Sequence, residues 1–95
     1  MNIYIVSYDI TDDDRRNDVF QYLRRWGDHL QYSVFRCELS RKDRAEMRTR
    51  LARLINDDHD QILLFDLGPT NGRARDSVDA LGLPYTHPER HAIVV

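Results

Sequence analysis

Two segments of this sequence are apolar on both of their alternating sides, and this pattern limits the folds that the chain can adopt. In residues 3–10, Ile3 and Ile5 fall on one side of a predicted strand and Tyr4 on the other. Residues 61–67 are almost continuously apolar. Such a run is typical of a strand with both faces buried. A chain of 95 residues has room for one domain. Both faces of its sheet therefore need a covering surface.

Helical spacing of apolar residues appears twice. The first helix is predicted to begin at Thr11, which forms a capping box with Asp14, and to end at Gly27. The second is predicted to begin near Ser40, with Asp43 three residues later. Their apolar stripes are Val19, Tyr22, Leu23 and Trp26, and then Met47, Leu51, Leu54 and Ile55.

The rest of the chain is extended or irregular. Residues 30–39 are extended, and their pattern fits either one bent strand or a tight hairpin. A loop is predicted over residues 68–72 and a short helix over 74–81. Residues 91–95 form an apolar terminal strand.

This order of elements predicts an α+β fold. A β-α-β(β)-α-β order of this size indicates a ferredoxin-like βαββαβ sandwich with an additional C-terminal strand. We expect a single domain over residues 1–95, with a core at 1–67 and a loop and strand extension at 68–95.

The pattern also predicts a homodimer. Two helices cover one face of a sheet, whereas the first and fourth strands are apolar on both. Large exposed apolar patches are uncommon on monomers. A symmetric dimer that packs sheet against sheet would bury the second face. The C-terminal strand could also extend the partner's sheet edge.

Charge and cysteine content exclude several classes of protein. The net charge of −2 argues against a generic nucleic-acid binder, although thirteen of the fourteen basic residues are arginine. The single cysteine, Cys37, cannot form an internal disulfide, and no Cys/His spacing predicts a zinc site. We expect a cytoplasmic protein without a membrane anchor, because neither a signal peptide nor a membrane-spanning run is evident.

Asp9 is the strongest candidate for chemistry. It ends the first strand just before a helix begins, where a carboxylate can bind Mg²⁺. One carboxylate makes a poor site, but two Asp9 side chains facing across a dimer axis would make a better one. The alternative is that Asp9 caps the next turn or pairs with an arginine.

Several other residues have a functional and a structural interpretation. Arg15 and Arg16 could contact a phosphate near Asp9 or pair with the acidic residues 12–14. The second helix is basic, although Glu46 and Arg50 could pair on a solvated face. Tyr8 and Phe35 could stack on bases or pack in the core. Ser33 has no adjacent base, so a nucleophilic role is not indicated.

Three short motifs occur together at a characteristic spacing. They are YDI at 8–10, an acidic and arginine-rich helix start at 12–16, and QYSVF at 31–35. The combination resembles the CRISPR-associated protein 2 family, closely over residues 1–67 and loosely beyond.

The resemblance implies a ferredoxin-like homodimer that bridges subunits of the CRISPR-associated integrase and contacts spacer duplex DNA. It also implies, for some members, a metal-dependent nuclease acting on single-stranded RNA or double-stranded DNA, with Asp9 as the catalytic, Mg²⁺-binding residue. The accessory positions would be Tyr8, Arg16, Ser33 and Phe35. Asp18 and Arg36 depart from the family pattern. An RNA-cleaving toxin of the same small fold is the alternative.

Overall fold

A computed structural model describes residues 1–85 of the chain. The elements, in chain order, are β1 (Asn2–Asp9), α1 (Asp13–Arg24), β2 (Gly27–Gln31), β3 (Val34–Leu39), α2 (Arg41–Leu54), β4 (Gln61–Pro69) and a 3₁₀ helix (Arg73–Asp76). No helix in this part of the chain is long and apolar enough to cross a membrane.

The four strands form one antiparallel sheet in the order β2-β3-β1-β4. β1 is central, and its Val6 lies opposite Phe35 of β3 and Leu64 of β4. Each helix connects two strands that are not neighbours, which is the split β-α-β arrangement of ferredoxin-like folds. The predicted fold class is therefore confirmed.

The hydrophobic core lies between the sheet and the two helices. β1 points Tyr4, Val6 and Tyr8 toward the helices, and α1 contributes the fully buried Val19 and Leu23. The other buried members of the core are Ile10, Phe35, Cys37, Leu39, Met47 and Leu51. Because strand residues alternate between faces, the intervening side chains of β1 lie on the opposite side of the sheet.

The two helix starts differ in how well the sequence predicts them. Ser40 caps α2 as expected, since its hydroxyl accepts a hydrogen bond from the amide of Asp43 at 3.1 Å. The predicted cap of α1 is wrong by one residue. Asp12 caps this helix by accepting from the amide of Arg15 at 2.9 Å, while the amide of Thr11 donates to Asp60 at 3.1 Å.

Gly27 is not the end of α1 but the first residue of β2. α1 ends at Arg24, and Gly27 is buried against β3. A Cβ atom at this position would lie 2.5 Å from the Sγ of Cys37 and would also overlap the carbonyl oxygen of Arg36. Glycine is therefore required here because the two strands approach closely.

The extended segment at residues 30–39 is a hairpin. β2 and β3 pair antiparallel, and the turn between them consists of Tyr32 and Ser33. The short helix expected at 74–81 is a single 3₁₀ turn over Arg73–Asp76. The predicted strand at 91–95 lies outside the described residues.

The sheet face away from the helices is partly covered. The 3₁₀ helix lies against β1 and β4, where Ile3 and Ala74 are buried. Farther along β4, Leu63 is 44% exposed and Phe65 48% exposed. We call this exposed part, formed around Leu63 and Phe65, the open face. It agrees with the expectation that two helices leave one side of the sheet uncovered.

Candidate nucleic-acid interface

A cleft of about 580 Å³ opens where the end of β1 meets the start of α1 and the β2–β3 turn. Four of the residues singled out from the sequence line it, namely Tyr8, Asp9, Arg16 and Ser33. The structure thus brings together side chains that are up to 25 residues apart in the chain. We call this feature the Asp9 cleft.

The hairpin turn reaches the cleft because it is tied to β1. The amide of Tyr8 donates to the carbonyl oxygen of Ser33 at 3.1 Å, one pair beyond the ladder contact of Ser7 with Val34. This bond fixes the turn beside the last residues of β1. The backbone therefore holds Ser33 on the wall of the cleft, independently of any contact that its hydroxyl makes.

Asp9 stands at the boundary between two surfaces. It is the exposed last residue of β1, paired in register with Gln61 of β4. It shares the strand alternation of Ile5 and Ser7, so it lies at the edge of the open face as well as in the cleft. Within residues 1–85, no group of three potential metal-ligating side chains occurs. Asp9 is therefore not part of such a group in the described part of the chain.

Arg16 is the basic residue of the Asp9 cleft. Its guanidinium forms an ion pair with Asp13 and donates to the carbonyl oxygen of Ile10 at 3.0 Å. Arg16 therefore pairs with the acidic start of α1, which is the structural interpretation given to it from the sequence. Both side chains of the pair are well exposed to solvent, and exposed pairs contribute little to stability. An incoming phosphate could replace Asp13 at small cost.

Arg15 has a different role in the structure. Its Nε lies 2.8 Å from Oδ2 of Asp60, whose side chain is fully buried. Asp60 also accepts from the amides of Asn56 at 2.8 Å and Thr11 at 3.1 Å. The hydrogen bond from Arg15, helped by those two amides, holds the pKa of the Asp60 carboxyl well below its usual range, although burial opposes the shift.

This arrangement fastens the start of α1 to the segment before β4. Arg15 does not line the Asp9 cleft. Contact of Arg15 with a phosphate stays a prediction, and it would require the guanidinium to leave a buried carboxylate. Sequence inspection missed Asp60 because its partner is 45 residues away and no local motif joins them.

The two aromatic candidates pack in the core. Phe35 is fully buried, and its ring centroid lies 6.4 Å from that of Tyr8. Phe35 therefore has no free face for a base, and the core interpretation describes its position. Tyr8 is also buried but borders the cleft. Burial raises the pKa of its phenol, and the nearby Arg16 partly offsets this.

Sequence inspection also missed Tyr32, which borders the cleft. Its side chain is 93% exposed and its backbone φ is +28°, in the left-handed region. Such a conformation costs an L-residue about 1–2 kcal/mol. The sequence signal for Tyr32 was a pair of residues without glycine between two extended segments. It can be recognised only when residues 30–39 are known to form a hairpin.

α2 forms a basic surface separate from the Asp9 cleft, since none of its residues lines that cleft. It carries six basic and two acidic residues. The expected pair of Glu46 with Arg50 is absent from the ion pairs shown within residues 1–85. Both Glu46 and Arg50 line a groove between the helices, together with Arg25, Trp26 and other residues. The basic helix face predicted from sequence is thus present, and it lies outside the Asp9 cleft.

Comparison with known proteins gives a consistent result. A family model described as CRISPR associated protein Cas2 matches residues 1–74. The CRISPR-associated endoribonuclease Cas2 1 of Rhodospirillum rubrum is 37% identical over 92 residues, which cover 97% of this chain and 89% of that protein.

Solved structures agree with the fold. The crystal structure of Streptococcus pyogenes Cas2 at pH 6.5 superposes with a TM-score of 0.72 at 26% identity, covering 84% of this chain and 99% of that chain. A chain of a partial Cas6-RT-Cas1–Cas2 complex superposes with a TM-score of 0.71, covering 90% and 97%; at 21% identity this likeness shows the fold alone.

Proposed function

Because the chain belongs to the Cas2 family of CRISPR-associated proteins, we propose that it acts in CRISPR adaptation as a homodimer that bridges integrase subunits and contacts duplex DNA. The observation that carries this proposal is the open face, where Leu63 and Phe65 are about half exposed in a single chain. Apolar strand residues of this kind call for a covering surface.

A second copy of the chain is the simplest cover. Two copies packed through the open face would be related by a two-fold axis, so each buries the same residues. Every other surface then occurs twice, in symmetric positions. A dimer of this kind is suited to join two identical partners, which is what bridging requires.

The partner follows from the family. The resemblance implies an integrase, and the solved complex that contains a chain of similar fold is one of Cas1 together with Cas2. Contacts with duplex DNA would come from exposed arginines that do not hold a buried carboxylate. Arg16 in the Asp9 cleft meets this description, as does the basic face of α2. Phosphate contacts of this type weaken as salt rises, through counterion release.

Metal-dependent cleavage of phosphodiesters is the second candidate function. The observation in its favour is the exposed carboxylate of Asp9 beside Arg16 and Ser33. The matching relative is named an endoribonuclease. Because no group of three potential ligating side chains occurs within residues 1–85, we place the metal where Asp9 of both copies would meet across the dimer axis. Magnesium bound there would activate water and offset charge on the phosphate.

The toxin-like ribonuclease is the weaker alternative. Such a protein would share the ferredoxin-like fold. The family match over residues 1–74 and the relative matched over nearly the whole chain favour the CRISPR function.

Co-purification of the chain with its integrase and a spacer-like duplex tests the proposal. We expect a stable complex whose affinity for the duplex falls steeply with salt. Arg16→Glu should weaken duplex binding, whereas Arg73→Glu makes the same charge change near the far end of β1 and should not. Failure to form a complex with the integrase at low salt would contradict the bridging role.

A further inference from the structure

The β2–β3 turn presents an aromatic ring that the folded chain does not use for packing. Tyr32 is 93% exposed and borders the Asp9 cleft. The other aromatic residues of this cleft, Tyr8 and Phe20, pack instead against Phe35. Tyr32 thus offers a ring face to whatever enters the cleft.

The backbone at Tyr32 makes tyrosine an unfavourable choice. Its φ of +28° is a conformation that glycine adopts without strain and other residues avoid. Two-residue hairpins favour positive φ at the first central position, which glycine often fills. A bulky residue held in a strained conformation is a reason to look for a role of its side chain.

The turn that carries the ring is also held firmly. The carbonyl oxygen of Tyr32 lies 2.6 Å from Nε2 of His29. The imidazole of His29 packs between Phe20 and Phe35, with ring centroids 5.1 and 4.9 Å away. The bond from Tyr8 to Ser33 fixes the next residue. A ring presented from a fixed turn loses little freedom when a ligand stacks on it.

We propose that Tyr32 is the platform on which an unpaired nucleobase stacks when its phosphate lies beside Arg16 in the Asp9 cleft. This inference deepens the proposed function and rests on it, because it assumes that the cleft receives nucleic acid. It names the ligand class as a single-stranded segment, such as a loop. Bases within an intact duplex already stack on one another and present no free face.

The chemistry of the cleft favours this ligand. Aromatic stacking accepts any base, and an adjacent guanidinium can contact the phosphate. Tyr32 and Arg16 line the same cleft from opposite elements, one on the hairpin and the other on α1.

Substitution at Tyr32 separates this role from a structural one. Tyr32→Gly removes the ring and relieves the backbone, so the variant should melt at or above the wild-type temperature. Tyr32→Phe keeps the aromatic face for stacking. Tyr32→Leu keeps the apolar bulk and the backbone strain but has no aromatic face. Leu81→Gly removes another exposed apolar side chain outside the cleft and serves as the matched control.

The probe is a fluorescein-labelled oligothymidylate of about twelve nucleotides, free or annealed to its complement. Fluorescence anisotropy should show single-strand affinity about 5- to 150-fold weaker for the Gly and Leu variants, as expected for one lost base stack. The Phe variant and the Leu81→Gly control should bind as the wild type does. Duplex affinity should be equal for all of them.

Three results with the variants would overturn the inference. They are an unchanged single-strand affinity in Tyr32→Gly, an equal loss of affinity for duplex and single strand, and a loss of self-association in Tyr32→Gly. The last result would assign the ring to the subunit interface. A wild-type protein that binds no single strand overturns it as well. Failure of the proposed function is recognised separately, because it appears as loss of the integrase–duplex complex in the wild type.

Discussion

Removal of the Phe65 ring is a direct perturbation of the proposed dimer. Phe65 lies on β4 opposite Ile5 and is 48% exposed in the single chain. It is not a member of the core between the sheet and the helices. Phe65→Ala should therefore leave the fold of one chain intact while removing apolar surface from the open face.

The size of the effect follows from area. An aromatic side chain presents about 200 Å² in all, so the exposed half amounts to about 100 Å². At about 25 cal/mol per Å², its burial contributes about 2 kcal/mol per copy once the methyl group of alanine is subtracted. A two-fold interface contains the residue twice, which gives about 4 kcal/mol per dimer. The dimer dissociation constant should rise close to a thousandfold.

Sedimentation velocity over a range of concentrations measures this constant. Gln21→Ala is the matched control, because it shortens an exposed side chain on α1, on the other side of the sheet. Circular dichroism should show the same fold for all three proteins. A wild type that stays monomeric at micromolar concentration would refute the reasoning, as would a Phe65→Ala protein that dimerises as tightly as the wild type.

Four further predictions test other parts of the structure. Gly27→Ala should cost about 2 kcal/mol of unfolding free energy in urea, because the new methyl group overlaps β3; Gly72→Ala, whose Cβ would meet its nearest atom at 3.5 Å, should cost much less. Asp60 has a depressed pKa in the folded state, so its contribution to folding stability is complete above the ordinary pKa of 3.8 and is lost as pH falls below that value. The difference in melting temperature between the wild type and Asp60→Asn should therefore shrink below pH 3.8, and a constant difference would contradict the assignment. Arg15→Glu should unfold more easily than Arg16→Glu, because only Arg15 holds a buried carboxylate, and equal urea midpoints would count against this. Asp9→Asn should abolish any Mg²⁺-dependent cleavage without changing self-association, and cleavage that persists in the presence of a chelator would point to another site or to a contaminant.

The parts of the site that could be predicted are those carried by short local motifs. Asp9 follows directly from the end of an apolar strand, and Arg16 from the acidic and arginine-rich helix start after it. Once β1 and β3 pair, Ser33 must lie beside Tyr8. Strand pairing alone therefore assembles much of the cleft.

The features that could not be predicted depend on contacts between distant segments. The sequence does not reveal the role of Arg15, because its partner Asp60 lies 45 residues farther along the chain. The local pattern places Gly27 at a helix end, because its close approach to Cys37 exists only across two paired strands. Tyr32 escapes notice because its conformation depends on a hairpin that the pattern of residues 30–39 does not distinguish from one bent strand.

The central place of β1 has a consequence for how a newly made chain folds. β1 leaves the ribosome before both of its neighbours, which end at Leu39 and Pro69. Until β4 has emerged, one edge of the apolar strand β1 stays unpaired, and such edges are sites of aggregation. Long-range pairing of this kind also slows folding. A nascent chain halted before residue 61 should therefore need a chaperone, whereas one released after residue 69 can close its sheet.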